Sequence, residues 1–273
     1  WHEAHMLRRH SLCYAAAAFG SATLLVRPAH AEAQPPSIGI LGTGWGVNVQ
    51  VPGFRKAGLT VAAIYSRSAS RAKDLADKLQ IPLCFSSVDE LCASSAVDIV
   101  SCVGPTHTRA PQAIAALSAG KNVLVDKPMA LSADEASTML DAARRAGTHA
   151  WMDFELRCVP AVVELRSILA SGALGAPLHL SFRCLGNFRF LSGEHSHWVR
   201  RECGGGVFSA VGTHYTDLCR HLVGEVARVS AVQRPLVETL PDASGTPQPV
   251  TADGLTCATY ELQPAAAGAR PVV

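Results

Sequence analysis

A glycine-rich turn directly after an apolar strand is the feature of this sequence with the clearest chemical meaning. Residues 37–47 read SIGILGTGWGV, so Gly42 and Gly44 match the first two positions of a G-x-G-x-x-G fingerprint and Val47 stands at the third. Gly42 would permit the tight strand-to-helix turn, and Gly44 would let a pyrophosphate approach the backbone. The next helix would offer its N–H groups to that phosphate. The pattern predicts a dinucleotide-binding loop, with an ordinary strand-to-helix turn as the alternative. The candidate contacts are Gly42, Thr43, Gly44, Trp45 and Gly46.

The end of the second predicted strand bears on which dinucleotide would bind. An acidic side chain about 20 residues after the glycine turn holds the ribose 2′-hydroxyl of NAD. Here the strand ends in Ser66 and Arg67, and Arg71 follows. A serine beside a guanidinium group would bind a 2′-phosphate through charge-assisted hydrogen bonds. We therefore expect NADP, with NAD as the second choice. The alternative is that both arginines belong to a solvated helix start.

Strands and helices alternate through the first half of the chain and would position these residues at one edge of a sheet. Each predicted strand is continuously apolar, which is typical of parallel strands covered by helices on both faces. The pattern indicates an α/β fold with a doubly wound, Rossmann-type parallel sheet. The predicted strands are Ile38–Leu41, Thr60–Tyr65, Asp98–Val103, Asn122–Val125 and Ala150–Phe154, and the predicted helices are Val47–Ala57, Ser68–Leu79, Pro111–Ala119 and Asp134–Ala146.

The pattern changes after residue 150. A helix at Pro160–Ser171 is followed by extended segments, which indicates an α+β domain built on a mainly antiparallel sheet. We divide the chain into an extension over 1–35, a dinucleotide-binding domain over 36–150, and a substrate and oligomerisation domain over 151–273. The extended segments are Leu178–Leu185, Ala227–Gln233 and Leu255–Leu262, interrupted by a helix at Thr213–Leu222.

The two ends of the sequence differ from the domains between them. From Met6 to Ala31 there is no acidic residue, and Ala15–Val26 is small and apolar. This fits an organelle transit peptide or an export signal, with a disordered extension as the alternative. After Leu262 the sequence is rich in alanine and proline, so we expect the open sheet of the second domain to be C-terminally incomplete.

Composition argues against several classes of partner. The formal charge is +2 and the basic residues are scattered, which argues against a nucleic-acid partner. No apolar run reaches about 18 residues, so no membrane span is expected. The nine cysteines form no C-x-x-C pair, which favours buried free thiols in a reducing compartment, cytoplasmic or organellar. His195 and His197 lack accompanying carboxylates or thiols, so no metal is expected.

Three further motifs follow the glycine turn in a fixed order. They are GKNVLVDKP at 120–128, FELRCVP at 154–160 and GGGVFSAVGTHYTD at 204–217. With the glycine turn, they resemble the Gfo/Idh/MocA family of NAD(P)-dependent oxidoreductases over roughly 37–262. The resemblance implies a Rossmann domain followed by an open-sheet substrate domain, and redox chemistry on sugars, polyols or trans-dihydrodiols. It also implies dimerisation through the open sheet, so the expected truncation makes a homo-oligomer doubtful.

Lys127 and His214 are the candidate catalytic residues. Lys127 matches the lysine of the family's Glu-Lys-Pro motif, with Asp126 in the glutamate position, and the resemblance implies a cis bond before Pro128. An ammonium group at the carboxyl end of a parallel strand can stabilise alkoxide character during hydride transfer. His214 matches a helix-borne histidine that works with the lysine as acid or base. The alternatives are a surface lysine and a structural histidine.

Five residues in or near these motifs are further candidate contacts. The resemblance implies that Pro105 approaches the nicotinamide and that Asp126 contacts the cofactor. Arg157 meets cofactor or substrate, or pins a domain interface. Trp198 belongs to a substrate-facing loop. Asp217 orients the ring of His214 or serves as a structural anchor.

Two positions depart from the family pattern. Ala210 stands where many members carry an aspartate four residues before the histidine, and Arg109 stands where a histidine often follows Pro105. We expect an NADP-dependent oxidoreductase that transfers a hydride to or from a small sugar-, polyol- or diol-like molecule. Ala210 keeps open a nucleotide-binding sensor or regulator on the same fold. A glycoside hydrolase that uses the nicotinamide transiently is a third hypothesis.

Overall fold

The computed structural model describes residues 35–186 and 193–264. The chain divides into two compact units, called here the first and the second unit. The predicted leader and the predicted alanine-rich tail lie outside the described residues. The first unit comprises Trp1–Gly104, Thr108–Asp126 and Asp134–Met152, and the second comprises Pro105–His107, Lys127–Ala133 and Asp153–Val273.

The first unit contains a six-stranded sheet in the order β3-β2-β1-β4-β5-β6. The β1–β2, β2–β3, β1–β4 and β4–β5 pairs are all parallel. This is the strand order of a Rossmann sheet, and it confirms the predicted fold class of this half. The strands are β1 (Ser37–Leu41), β2 (Thr60–Tyr65), β3 (Leu83–Phe85), β4 (Ile99–Cys102), β5 (Asn122–Asp126) and β6 (Ala150–Asp153).

Helices follow the strands because their apolar faces cover the sheet. Val51 on the first helix is buried against Ile38, Ile40 and Ile64, and these side chains form part of one core. Ser68, the first residue of the predicted helix, caps the second helix because its side chain accepts a hydrogen bond from the N–H of Arg71. The helices are α1 (Val51–Lys56), α2 (Ala69–Leu79), α3 (Val88–Ala93), α4 (Thr106–Ser118) and α5 (Ala133–Ala146).

Two features of the first unit differ from the sequence prediction. The short strand β3 and helix α3 were not predicted, because three half-exposed residues and six residues give no clear periodicity. Helix α4 begins at Thr106 rather than at Pro111, which lies inside the helix. A proline there removes a single intrahelical hydrogen bond, and the helix continues through it.

The second unit combines two helices with antiparallel strands. Helix α7 lies before β7, which pairs with β10 along its length. Cys219 of α7 and Leu262 of β10 are buried together. The α+β character is as predicted, and the β8–β9 hairpin is an addition. The elements are α6 (Pro160–Ala170), α7 (Thr213–Leu222), β7 (Gly224–Arg234), β8 (Thr239–Pro241), β9 (Pro247–Pro249) and β10 (Leu255–Pro264).

The extended segment predicted at residues 178–185 is not a strand of the described sheets. Leu180 and Phe182 pack on the cluster of Cys219 and Leu262, whereas Leu178 and Leu185 are 81% and 78% exposed. Residues 179–183 alternate between exposed and half-buried side chains as a strand would, but the segment joins none of the three described sheets. Alternation of apolar and polar residues indicates that one side of a segment is buried. It does not indicate that the segment has a neighbouring strand to which its backbone can hydrogen-bond.

The cysteines are more varied than expected. The eight described cysteines are free thiols, of which four are buried and four are exposed. Burial raises the pKa of the Cys92 thiol to about 11, so that group stays protonated. The prediction of buried thiols is wrong for Cys84, Cys158, Cys184 and Cys257.

No helix in the described part of the chain is long and apolar enough to span a membrane.

Candidate functional site

The glycine turn of the first unit lies between β1 and α1, where the fingerprint places it. A Cβ on Gly42 would lie 2.8 Å from the backbone carbon of Val103 and 3.0 Å from the nitrogen of Gly104. Only glycine fits there, because the obstacle is main chain. A Cβ on Gly44 would meet nothing within 4 Å, so this exposed residue leaves the backbone open to a ligand. Thr43 is half-buried and Trp45 is exposed beside it.

Gly46 takes the packing role that the third fingerprint glycine has in a Rossmann turn. Residues 46–50 form a π-helical turn in which the Val51 N–H donates to the Gly46 carbonyl. A Cβ on Gly46 would lie 2.7 Å from Val103 and 2.8 Å from Ile40, so glycine allows the close approach of helix and sheet. Val47 at the formal third position is therefore accommodated by the extra residue of the π turn.

The residues predicted to contact the ribose 2′ position of the dinucleotide lie at the carboxyl end of β2. Ser66 is buried, and its hydroxyl accepts a hydrogen bond from the N–H of Ser68. Arg67 and Arg71 are exposed, and neither guanidinium group is bonded to any other side chain in the described part of the structure. Both cations are thus available to an anion at this edge.

A buried ion pair fixes Asp126 in the first unit. The Arg109 guanidinium group donates to a carboxylate oxygen of Asp126 at 3.0 Å and to its carbonyl at 3.2 Å. It also donates to the carbonyl of Gly104 at 2.9 Å, so it ties the ends of β4 and β5 together. Burial lowers the pKa of Arg109 and the Asp126 charge opposes that shift. The carboxylate predicted to contact the cofactor is therefore engaged by Arg109.

In the second unit, Lys127 points at the turn that precedes α7. Its Nζ donates to the carbonyl of Ala210 at 2.6 Å. Residues 208–212 form a second π-helical turn, in which the Thr213 N–H donates to the Phe208 carbonyl. The side chain at position 210 is a methyl group, so residue 210 offers Lys127 a main-chain oxygen and no carboxylate.

His214 on α7 is buried beside one aromatic ring and several charged groups. The ring of Phe154 contacts its imidazole edge-on, with centroids 6.0 Å apart. Burial, followed by the charge of Lys127, lowers the pKa of His214 to about 4, and Asp217 only partly opposes this. The ring is therefore neutral at pH 7. Its Nε2 lies 3.5 Å from a carboxylate oxygen of Glu155, and its buried Nδ1 has no hydrogen-bond partner among the described residues.

Asp217 does not orient the His214 ring. Its carboxylate is engaged by Arg157, whose Nε donates to it at 2.6 Å and whose terminal nitrogen makes a second bond. The Arg157 guanidinium group also lies 5.8 Å from the centre of the Phe154 ring. This bidentate pair joins the 3₁₀ turn Glu155–Cys158 to α7. Of the two roles considered for Asp217, the structural anchor fits this geometry.

Asp253 supports the same helix and was missed by sequence reasoning. Its carboxylate accepts hydrogen bonds from the Phe208 N–H at 2.8 Å and from the Thr256 hydroxyl at 2.7 Å. A Cβ on Gly206, which has a φ of +109°, would lie 2.0 Å from that carboxylate. No local pattern could have identified Asp253, because it lies about forty residues after the turn that it caps.

The remaining candidates lie in the second unit. Trp198 is partly exposed and its ring lies 5.0 Å from that of His197. Pro105 is half-buried immediately before α4. The ring of His195 lies 3.1 Å from the carbonyl of Pro249. Within the described ranges, no group of three or more histidine, cysteine, aspartate or glutamate residues could hold a metal ion.

Two domain families match the chain. The family described as "Oxidoreductase family, NAD-binding Rossmann fold" matches residues 37–154. The family described as "GFO/IDH/MocA C-terminal domain" matches residues 162–266. The two matches are consecutive and together span most of the chain.

Curated relatives are oxidoreductases by name. The chain is 29% identical over 221 residues to an uncharacterized oxidoreductase of Synechocystis, covering 80% of this chain and 60% of that protein. It is 32% identical to D-xylose 1-dehydrogenase (NADP(+)) 2 of Haloferax volcanii, covering 71% of this chain and 59% of that protein. The match to glucose-fructose oxidoreductase domain-containing protein 2 of Bos taurus is 31% identical and covers 70% and 49%. The chain thus spans between about half and three fifths of these relatives.

Solved structures share the fold. Levoglucosan dehydrogenase in complex with NADH and levoglucosan superposes with a TM-score of 0.75 at 22% identity, covering 88% of this chain and 66% of that one. An oxidoreductase domain protein from Kribbella flavida gives a TM-score of 0.76 at 25% identity, covering 85% and 65%.

Proposed function

We propose, since the chain belongs to the Gfo/Idh/MocA family of oxidoreductases, that it oxidises or reduces a sugar-, polyol- or diol-like hydroxyl or carbonyl group with NADP. When bound, the dinucleotide would accept or donate the hydride. Lys127 would hold the reacting oxygen and stabilise its alkoxide character, and His214 would take or return the proton. Relatives named for D-xylose and levoglucosan support a sugar-like substrate.

The observation that carries this proposal is the contact of Lys127 with the turn that begins the helix of His214. Lys127 Nζ donates to the carbonyl of Ala210, and its charge, after burial, helps to lower the pKa of His214. A cation beside a neutral base is the arrangement that alcohol oxidation needs, since one group stabilises the oxyanion and the other accepts the proton.

The glycine turn fits a dinucleotide on structural grounds. The open space at Gly44 leaves the backbone accessible, and Gly42 and Gly46 are required by packing. The preference for NADP rests on the neutral Ser66 and on the exposed cations of Arg67 and Arg71, since a 2′-phosphate is a dianion that guanidinium groups bind well.

A nucleotide-binding sensor or regulator is the second candidate function. It is favoured by the methyl group at position 210, because that position supplies no carboxylate to the turn that Lys127 contacts. Such a protein would bind the dinucleotide without turnover.

Substitution of Lys127 tests the proposal. The full 273-residue chain would be assayed with NADP and NAD against D-xylose, levoglucosan, inositols and a trans-dihydrodiol. We expect Lys127→Met to lower turnover at least about 10²-fold, as for loss of a transition-state donor, with NADPH affinity unchanged. Lys56→Met, which alters an exposed lysine of α1, is the control. Unchanged turnover in Lys127→Met would refute the assignment, and dinucleotide binding without turnover of any substrate by the unaltered chain would favour the sensor.

A further inference from the structure

We infer that Glu155 is the outlet of the proton relay, accepting from His214 the proton that leaves the substrate hydroxyl and releasing it to water. This inference rests on the proposed function and adds the route that it leaves open. Oxidation of a C–OH group to a carbonyl releases a hydride and a proton. A bound dinucleotide would take the hydride, and the proton would have to pass from the buried imidazole of His214 to solvent.

Glu155 spans the distance between that imidazole and water. It begins the 3₁₀ turn that follows β6, and its Oε1 lies 3.5 Å from Nε2 of His214. The side chain of Glu155 is 42% exposed, whereas that of His214 is 8% exposed. One carboxylate therefore contacts both the buried ring and the solvent. Catalytic hydrogen bonds in ligand-free structures are often long and shorten when substrate binds.

The other nearby carboxylate cannot serve as the outlet. The side chain of Asp217 is only 3% exposed, and both of its oxygens are engaged by Arg157. The same ion pair holds the turn of Glu155 against α7, so it keeps the Glu155 carboxylate near the ring. Arg157 and Asp217 thus position the relay without carrying the proton.

The two ring nitrogens of His214 have different environments, which sets the direction of transfer. Nε2 faces a carboxylate, so a neutral ring carries its proton there. Nδ1 is buried and lacks a hydrogen-bond partner among the described residues, so it is the acceptor for an incoming proton. An O–H bond of the substrate breaks as an N–H bond forms at Nδ1. The Nε2–H proton then moves to the Glu155 carboxylate and on to water, which leaves a neutral ring protonated on Nδ1. After the product leaves, loss of the Nδ1 proton to water and uptake of one proton at Nε2 through Glu155 return the starting form, so one proton is released for each turnover.

Kinetics of Glu155→Gln test the relay. The glutamine keeps the size of the side chain and cannot take the proton. We expect turnover in the oxidation direction to fall about 10²-fold, the lower end for loss of an acid–base group, with the Michaelis constants within about twofold. Imidazole or formate added to the buffer should restore activity by accepting the proton directly. Glu164→Gln on α6, which alters an exposed glutamate of the same unit, is the matched control.

The position of the histidine proton gives a readout that does not depend on activity. Nitrogen-15 NMR of the histidine-labelled protein, with His214 assigned from His214→Gln, should show the proton on Nε2. Glu155→Leu should weaken that preference. Lys127, Glu155 and Asp217 are the charged groups that act on the ring. The same spectra recorded at several pH values would show how these three charges together shift the protonation of His214.

The outcomes separate the relay from the proposed function. The relay is overturned if Glu155→Gln turns over like Glu164→Gln, if its loss of activity is not restored by any small base, or if the His214 proton lies on Nδ1. If the unaltered chain turns over none of the hydroxyl compounds, the proposed function fails. In that case the NMR result still decides whether Glu155 sets the protonation of His214.

Discussion

Acidification should destabilise this protein through His214. In the folded chain, burial and the Lys127 charge hold the pKa of this ring at about 4. In the unfolded chain the value returns to about 6.5. Between these two pH values the unfolded state binds more protons than the folded state, so stability falls as pH falls through this window. Replacing His214 by glutamine removes this proton uptake.

The size of the effect follows from the two pKa values. At about pH 5 the unfolded ring is almost fully protonated and the folded ring is almost neutral. Linkage then gives a loss of about 2 kcal/mol relative to about pH 7.5, and most of it arises between about pH 6.5 and 5. His221 contributes in the same direction, because burial and the charges of Arg166 and Arg157 lower its pKa to about 4 as well. Substitution at position 214 should therefore remove part of the acid sensitivity.

Urea unfolding at about pH 7.5 and at about pH 5 would measure this difference. For each variant, the readout is the change in the free energy of unfolding between the two pH values. It should be about 2 kcal/mol smaller in His214→Gln than in the unaltered chain. His149→Gln, which alters an exposed histidine, should leave the change intact. If His214→Gln and the unaltered chain lose the same stability on acidification, the ring is not a buried neutral group and the reasoning fails.

Two further predictions concern the first unit. The double variant Arg67→Ala, Arg71→Ala should weaken NADPH binding about tenfold or more and leave NADH binding unchanged, because only NADPH carries the 2′-phosphate that the two cations would bind. Fluorescence titrations would measure both affinities, and an equal loss for the two dinucleotides would contradict this prediction. Gly42→Ala should lower the melting temperature, with a cost of about 1–3 kcal/mol, because its Cβ meets main chain. Gly44→Ala should keep the melting temperature and weaken dinucleotide binding, because its Cβ enters open space that a pyrophosphate needs. A melting temperature that fell equally in both glycine variants would overturn the distinction between them.

Much of the first unit could be predicted from sequence because its signals are local. Each of these signals reflects a requirement of the residues next to it. Apolar strands need burial, a helix start needs a cap such as Ser68, and a helix end needs a residue that can adopt a positive φ. Gly120 and Gly147, which follow the ends of α4 and α5, have φ values of +76° and +64°. β3 escaped detection because its burial comes from neighbouring strands rather than from a pattern of its own.

The candidate site was less predictable because its contacts are distant in sequence. Motif order identified Lys127 and His214, yet it could not show that Asp217 is taken by Arg157. The roles of Glu155 and Asp253 depend on contacts across about 60 and 45 residues, for which the chain carries no local signal. Likewise, Val47 looked like a defect in the fingerprint until the π turn placed Gly46 against the sheet.

The two π turns also have a consequence for the rotational phase of the helices that they begin. Each turn contains one residue more than an α-helical path would need, and one residue corresponds to about 100° of rotation around a helix axis. The turn at 208–212 therefore decides which face of α7 carries His214, in addition to how far along the chain that residue lies. A single-residue deletion within it would leave every motif residue present and turn the imidazole away from Glu155. The number of residues in this turn therefore matters to the site as much as their types, because it sets the direction in which the His214 side chain points.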